Sequence, residues 1–289
     1  MSMLTSKSKH AFCIVAHDEW EQLQTLISCI DNERNDIYLH IDAKSYNAFL
    51  KAGKPEALKS QLYIIDKPIY VAWSDVSLSD AEALLYKKVY ESGNKYQYVH
   101  LLSGSDLPLK SIKQIHAFFE GHKEEFVEMG FNPKFIKRLK YYHFFVKWRK
   151  GNAFVDNLRR LLLIPQWLFV NRLKHSPLKY ACGSSWCSIT YDAMCEIVEK
   201  YDEFRKYFVK TTCSDEHYKQ MILYSSDKNF VFAKEGNLRY ILFDHGARSP
   251  RVLTMAEYPA MIASGCLFGR KFERNTEVYE TIIHEINKY

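Results

Sequence analysis

The sequence lacks the short patterns that mark several well-known classes of protein. Its seven cysteines are odd in number, scattered and never spaced as Cys-x-x-Cys, so we expect reduced thiols and no zinc site. No Gly-x-Gly-x-x-Gly follows an apolar run, which argues against a dinucleotide-binding dehydrogenase. Internal repeats and low-complexity tracts are also missing, so we expect neither a solenoid nor a disordered chain.

Apolar runs long enough to cross a membrane are missing as well. The first residues, MSMLTSKSKH, lead into a strand without an apolar signal region, and the run LLLIPQWLFV at 161–170 is too short for a bilayer. These features predict a cytoplasmic protein. They leave open a peripheral contact with the inner face of the membrane.

Apolar and aromatic residues are abundant, and the positive charge is unevenly placed. With 47% hydrophobic residues, 20 Tyr and 18 Phe, the chain is expected to fold fully around ring-rich clefts. The net charge is only +6, but residues 134–150 hold seven Lys or Arg and no acid. We expect this segment to meet an anionic partner, and we do not expect that partner to be a nucleic acid.

Strand and helix signals alternate through the first half of the chain. Short runs rich in Ile, Val and Tyr, such as HAFCIVAH and YQYVHLLSG, are separated by segments with apolar residues at helical spacing, for example within 78–89. This alternation predicts an α/β fold with a mainly parallel central sheet and helices on both faces. Ligands of such sheets bind beyond the carboxyl ends of the strands.

Polar residues follow the predicted strand ends. They are His17 and Asp18 after the first strand, Asp42 and Lys44 after the second, residues 103–106 after a central one, and Glu128 after the last. Local structure offers other interpretations, because Asp18 can cap the following helix and Asp42 can satisfy its own turn. In a parallel sheet all of these residues gather at one rim.

The stretch LLSGSDLPLKS at 101–111 raises the question of a metal. Enzymes that bind a nucleotide sugar through a divalent ion commonly have an Asp-x-Asp pair at such a strand end, but here only Asp106 is present, before a predicted proline turn and helix start. Arg251 and Lys271, with Arg248 and Arg270 beside them, are either solvated surface cations or groups that offset the charge of a diphosphate.

Glu216, in TTCSDEHYKQMIL, also has two interpretations. With Asp215 it can stabilise the dipole of a helix that begins after Ser214, and the local sequence favours this role. A carboxylate fixed at a helix start beside a cleft can also act as a general base. Downstream, FVFAKEGNLRYILF is predicted to form a strand.

The ordered motifs of the chain resemble those of a known family. They are YLHIDAKS, YVAWSDVSLSDAEALLY, YVHLLSGSDLPLKS, CGSSWCSIT, CSDEHYKQMIL and SGCLFGRKFE. Together they are similar to the Core-2/I-branching enzymes, glycosyltransferase family 14, from about His10 to about Glu273. The resemblance implies a single GT-A type, Rossmann-like domain over 1–289, with a nucleotide-binding half at about 9–130 and an acceptor and diphosphate-binding half at about 131–289.

The resemblance also implies a reaction and its site residues. The family transfers a sugar with inversion and without a metal ion, so no cofactor is expected besides the UDP-sugar substrate. Glu216 matches the base, and Lys271 with Arg251, or with Arg248, matches the cations on the diphosphate. The nucleotide would meet His17, Asp42 and Lys44, the sugars would meet Ser105, Asp106, Glu128, Gly183, Ser184 and Trp186, and the pair Lys137–Arg138 lies in the acceptor region.

Several parts of the reaction stay open at this point. The donor sugar is N-acetylglucosamine or, as in the family's peptide xylosyltransferases, xylose, and the acceptor is a glycan or lipid-linked glycan of surface polysaccharide synthesis. Animal members carry a membrane anchor and disulfides, and without them this chain resembles a bacterial relative. Residues 134–174 fit either an anionic membrane surface or an acceptor-side helical pair. A non-catalytic glycan or membrane binder is the alternative to an enzyme.

Overall fold

A computed structural model describes residues 8–148 and 151–288 of the protein. The strands are β1 (Lys9–Ala16), β2 (Asn35–Ile41), β3 (Gln61–Ile64), β4 (Tyr96–Ser103), β5 (Leu107–Pro108), β6 (Phe126–Val127), β7 (Cys187–Thr190), β8 (Arg239–Ile241) and β9 (Phe268–Arg270). The helices are α1 (Trp20–Ile30), α2 (Tyr46–Ala52), α3 (Val76–Glu91), α4 (Ile112–Phe119), α5 (Lys137–Lys140), α6 (Ala153–Leu163), α7 (Gln166–Phe169), α8 (Tyr191–Phe208), α9 (Tyr218–Ser225), α10 (Tyr258–Ala263) and α11 (Glu277–Ile286).

The central sheet has six strands in the order β3–β2–β1–β4–β7–β6. The first four strands in this order run parallel, and Phe12 of β1 lies opposite Ile37 of β2 and His100 of β4. β7 is antiparallel to both β4 and β6. The prediction of a mainly parallel sheet is therefore confirmed, and the second half of the chain supplies one inner strand.

Helices cover both faces of this sheet, because successive strand residues point to opposite sides. Ala11 and Cys13 of β1 join a core cluster with residues of α3, α8 and α9. Phe12 and Ile14 of the same strand join a second cluster with residues of α1 and α4. The predicted placement of helices on both faces is confirmed.

A second, three-stranded sheet lies beyond the end of β4, in the order β5–β9–β8. Leu107 and Pro108, predicted as part of a turn, pair instead with β9. Pro108 is tolerated because β5 is an edge strand, where a missing N–H breaks no ladder. Ser111 then starts α4 with a capping box, in which its hydroxyl and the side chain of Gln114 bond to each other's backbone N–H groups.

Two other local predictions are wrong. The predicted strand at 230–243 is a strand only over β8, because Gly236 and Leu238 adopt left-handed backbone (φ 69° and 61°), which interrupts an extended chain. Helix α1 begins at Trp20 after Glu19, and no side chain caps it, so Asp18 is not its cap.

All seven cysteines are free thiols. Over residues 8–148 and 151–288, no helix combines the length and the apolarity that crossing a membrane requires.

Candidate functional site

The residues predicted to meet the nucleotide lie where β1 and β2 end. Asp42 is buried, and its carboxylate accepts a bond from the backbone N–H of Lys44 at 3.0 Å while Lys44 Nζ lies 3.1 Å from its second oxygen. The turn interpretation of Asp42 is thus confirmed. The backbone N–H of Asp42 also donates to the carbonyl of Ala16 at 2.9 Å, which brings the neighbouring, exposed His17 to the same rim.

Asp106, beyond the end of β4, is fully buried and holds a cation. Its carboxylate accepts bonds from the backbone N–H and the hydroxyl of Ser103, both at 2.9 Å, and from Nη1 of Arg270 at 2.6 Å. The guanidinium of Arg270 lies 4.4 Å from the ring centroid of Trp186. Asp106 therefore does not turn toward the start of α4, because Arg270 and Ser103 engage its oxygens, and a contact with the donor sugar stays a prediction.

Arg270 is a residue whose position sequence reasoning missed. It ends β9, and Lys271 follows it outside the strand. The signal available was the pair of adjacent cations in FGRKF, either of which could meet an anionic group. Ser105 lies beside this segment, since its carbonyl accepts a bond from the backbone N–H of Phe272 at 3.0 Å.

Lys271 and Arg251 come from segments that lie side by side. The carbonyl of Lys271 accepts a bond of 2.8 Å from the backbone N–H two residues after Arg251. The guanidinium of Arg251 forms an ion pair with Glu257. Arg248 is directed elsewhere and pairs with Asp156 of α6 at 3.2 Å. Of the two candidate arginines, Arg251 is nearer in the chain to this contact with Lys271, two residues before it.

Glu216 ends a 3-10 turn, Ser214–Glu216, that leads into α9. About 35% of its side chain is exposed, and its carboxylate forms an ion pair with Arg138. Burial, followed by the nearby charge of Asp215, raises the pKa of Glu216 above its ordinary value against the opposing effect of Arg138. The predicted helix start is wrong, because the α-helix begins only at Tyr218 and Glu216 lies before it on the 3-10 turn, as a partly exposed carboxylate beside a cation.

Buried polar contacts hold this turn against α3. The hydroxyls of Ser79 and Ser214 lie 2.7 Å apart. Lys219 and Glu82, both fully buried, form an ion pair, and Lys219 Nζ lies 3.4 Å from the carbonyl of Asp215. Burial raises the pKa of Glu82 to about 7, although the charge of Lys219 acts against this shift. Sequence reasoning missed the pair, because a lysine or glutamate within a helix has no local signature of burial.

Gly183 lies between two other predicted site residues. Its backbone N–H donates to the carbonyl of Glu216 at 2.9 Å, and a Cβ added to it would overlap the backbone carbonyl of Glu128. Only glycine permits so close an approach of two chains. Ser184 and Trp186 follow, and the hydroxyl of Ser184 accepts a bond from the backbone N–H of Trp186 at 3.3 Å. The structure thus brings these five residues together.

The arrangement supplies a proton acceptor and cations. The carboxylate of Glu216 can take up a proton, and Arg270 and Lys271 lie next to the end of β4, where they can attract an anionic group. Within the two described ranges, no three His, Cys, Asp or Glu side chains form a group that could hold a metal ion.

Solved structures resemble the chain at low sequence identity. The apo form of mouse xyloside xylosyltransferase 1 is 13% identical with a TM-score of 0.41, and the comparison covers 93% of this chain and 98% of that one. The apo structure of the bifunctional glycosyltransferase WbbM is 9% identical with a TM-score of 0.36, and here the comparison covers 99% of this chain and 53% of that one.

Sequence comparisons are more specific. A beta-1,3-galactosyl-O-glycosyl-glycoprotein beta-1,6-N-acetylglucosaminyltransferase of Bos taurus is 29% identical over 109 residues, and its Homo sapiens counterpart is 28% identical over the same length. These matches cover 36% of this chain and only 25% of each relative. The family model Branch, described as Core-2/I-Branching enzyme, matches residues 10–261. Because that match covers most of the sequence, the chain belongs to the Core-2/I-branching enzyme family.

Proposed function

We propose that the protein is an inverting glycosyltransferase that moves a sugar from a UDP-sugar to a hydroxyl of a glycan. The observation that carries the proposal is Glu216, a partly exposed carboxylate on a turn anchored to α3 and paired with Arg138. Glu216 takes the proton of the acceptor hydroxyl, and the oxygen attacks the anomeric carbon from the side opposite UDP. The bond to UDP breaks, and its electron pair leaves with the diphosphate, so the configuration inverts.

We assign the charge that develops on the leaving UDP to Lys271 and Arg251. Lysine offers a compact charge, and arginine can donate paired hydrogen bonds to phosphate oxygens. The carboxylate of Asp106, the only acid at this strand end, is already engaged by Arg270. These contacts support a transfer that needs no divalent ion and no cofactor besides the sugar nucleotide.

The substrates follow from the family and from the positions of the candidate residues. N-acetylglucosamine is the preferred donor sugar, because the mammalian relatives are named for its transfer, and xylose is the alternative. The uridine would bind at His17, Asp42 and Lys44. The acceptor, a glycan or lipid-linked glycan of surface polysaccharide synthesis, would approach Glu128 and the Lys137–Arg138 pair.

The test is the initial rate of UDP release and sugar transfer from UDP-N-acetylglucosamine and UDP-xylose to a panel of glycan acceptors. Rates are measured in excess EDTA and in excess manganese. We expect the wild-type rate to be independent of EDTA. Lys271→Ala should lower kcat by roughly a hundredfold to a thousandfold, because one preorganised cation is lost, and manganese should not restore it.

Exposed Lys234→Ala is the matched control and should keep the wild-type rate. Loss of the wild-type rate in EDTA with recovery in manganese would show that the reaction uses an ion, with Asp106 as the first candidate ligand. If no UDP-sugar is turned over and none raises the melting temperature of the protein, the protein is a non-catalytic binder of glycans or membranes.

A further inference from the structure

Helices α6 and α7 present their apolar residues outward. In α6 the buried residues are Asp156 and Arg159, and in α7 the buried residue is Gln166. Every apolar residue of the two helices is half-buried or exposed. A helix on the surface of a water-soluble globule normally has the opposite arrangement.

The inward polar residues are held by specific bonds. Asp156 pairs with Arg159 at 3.1 Å and, through its other oxygen, with Arg248 at 3.2 Å. The side-chain amide of Gln166 accepts from the backbone N–H of Tyr142 at 2.8 Å and donates to its carbonyl at 3.0 Å. The bonds to Arg248 and to Tyr142, and a bond of 2.9 Å between Arg159 and the ring of His143, join the helices to other segments. Because turning either helix would break these bonds, they hold its apolar side away from the protein.

The outward apolar residues are strongly exposed. Their exposed fractions are 65% for Trp148, 76% for Phe154, 62% for Leu161, 50% for Ile164, 61% for Trp167, 82% for Leu168 and 86% for Phe169. Scattered exposed apolar residues are ordinary, but a set concentrated in one short stretch of chain marks a surface that another body covers.

The charge around this surface is strongly positive. Of the 40 basic and 34 acidic residues in the chain, residues 131–180 hold twelve and one, and the single acid is the buried Asp156. The rest of the chain is therefore net acidic. Lys147, Arg160 and Lys174 are exposed within the basic segment.

We propose that α6 and α7, with Trp148 and the surrounding cations, form a docking surface for an anionic lipid bilayer. Apolar and aromatic side chains would enter the headgroup boundary while Lys and Arg meet lipid phosphates, the arrangement of helices that lie in the membrane plane. A twofold contact between two copies would place this basic segment against itself, which like-charge repulsion opposes.

Bonds link the docking surface to the candidate site, because Arg159 of α6 contacts His143 at 2.9 Å and the ring of His143 contacts the carbonyl of Lys137 at 3.0 Å. Arg138, which pairs with Glu216, belongs to the same basic segment. Docking would therefore hold the proposed base near the membrane, where a lipid-linked acceptor resides. Only this last step depends on the proposed function, because lipid binding is measured without any sugar transfer.

The experiment is flotation of the full chain with vesicles of phosphatidylcholine alone or with about 30% phosphatidylglycerol. We expect recovery with the anionic vesicles only, lost in high salt. Leu168→Ser/Phe169→Ser should lower the partition coefficient of the protein between buffer and anionic vesicles at least about tenfold, because the two side chains provide apolar area for insertion. Lys147→Glu/Lys174→Glu should lower it at least about fivefold, since each cation near an anionic leaflet adds to binding.

Matched controls change exposed residues outside the segment. Leu58→Ser/Val231→Ser removes comparable apolar area, and Lys51→Glu/Lys54→Glu reverses the same charge, so both variants should float like wild type. Circular dichroism verifies the fold of each variant.

Three outcomes would overturn the proposal. One is failure of the wild type to float with anionic vesicles. Another is equal recovery with neutral vesicles. The third is a dimer in light scattering that Leu168→Ser/Phe169→Ser dissociates without any flotation of the wild type, which would assign the surface to a second copy of the chain.

Discussion

At the scale of single residues, the proton affinity of Glu216 is set by opposing neighbours. Burial and the charge of Asp215 raise its pKa, and the guanidinium of Arg138 lowers it. A general base works best when its pKa is near the working pH while it remains ionised. The pairing with Arg138 favours the ionised form of Glu216 against the effect of its burial.

Replacing Glu216 by Gln tests the proposed base directly. The amide keeps the shape of the side chain but cannot accept the acceptor's proton, so we expect kcat to fall at least about a hundredfold. Binding of UDP-sugar, measured by thermal shift, should stay close to wild type. Exposed Glu235→Gln serves as the control. A folded Glu216→Gln protein with near-normal turnover would remove Glu216 from this role.

Replacing Arg138 by Gln tests the tuning of that base. Arg138 favours the charged form of Glu216, so its loss raises the carboxyl pKa further. Because the unprotonated carboxylate is the active form, the acid limb of the pH profile, where kcat/KM falls as the pH is lowered, should move to higher pH. The adjacent, exposed Lys137→Gln changes the same charge without contact to Glu216 and should leave the limb in place. An unmoved or acid-shifted limb in Arg138→Gln would contradict this assignment.

At the scale of secondary-structure elements, the site depends on a close approach of two chain segments. Gly183 sits against the backbone of Glu128, and residues 130 and 182 form a β-bridge beside it. The turn that carries Glu216 packs on the same glycine through a backbone bond. Acceptor-side and base-carrying segments are therefore positioned by one contact.

Gly183→Ala should break that contact. The added methyl group has no room against the carbonyl of Glu128, so the segments must move apart, and we expect a loss of about 1–3 kcal/mol in the free energy of unfolding. Urea denaturation measures this loss. Ser184→Ala, at the next position, makes no new overlap and should cost less. Equal stability of Gly183→Ala and wild type would show that the segments separate freely.

At the scale of the whole molecule, the two halves of the chain share one core. Strand β7, from the second half, lies between β4 and β6 of the first. The cluster on one sheet face contains Ala11 and Tyr38 together with Ile189 and Met221. The buried ion pair of Glu82 and Lys219 also joins the halves. We therefore expect 1–289 to unfold as a single unit.

Lys219→Met tests this coupling. It leaves the carboxylate of Glu82 buried without its partner, so the free energy of unfolding should fall by about 3–5 kcal/mol in a single transition. The double variant Lys219→Met/Glu82→Met removes both charges and should recover most of the loss. Two separate transitions in urea, monitored by fluorescence and circular dichroism, would show instead that the halves are independent domains.

Long-range contacts explain which parts of the site could not be predicted from sequence. Arg270 and Asp106 are 164 residues apart, and Lys219 and Glu82 are 137 apart, so no local pattern links the partners. The outward orientation of the apolar residues of α6 and α7 could not be predicted either, because helical spacing shows that apolar residues share one side of a helix and does not show which way that side faces. Expectations about localisation, donor and metal use remain predictions.

The sequence by itself determined the parallel strands, the helices on both faces and the family, because periodic burial and ordered motifs are local properties of the chain. It also placed His17, Asp42 and Lys44 at one rim, since parallel strands end at a common edge. Only the tertiary structure decided that Arg138 pairs with Glu216, that Arg270 engages Asp106 and that Arg248 pairs with Asp156 while the segment of Arg251 contacts Lys271. Each of these depends on which distant segments pack together, and packing is a property of the whole fold.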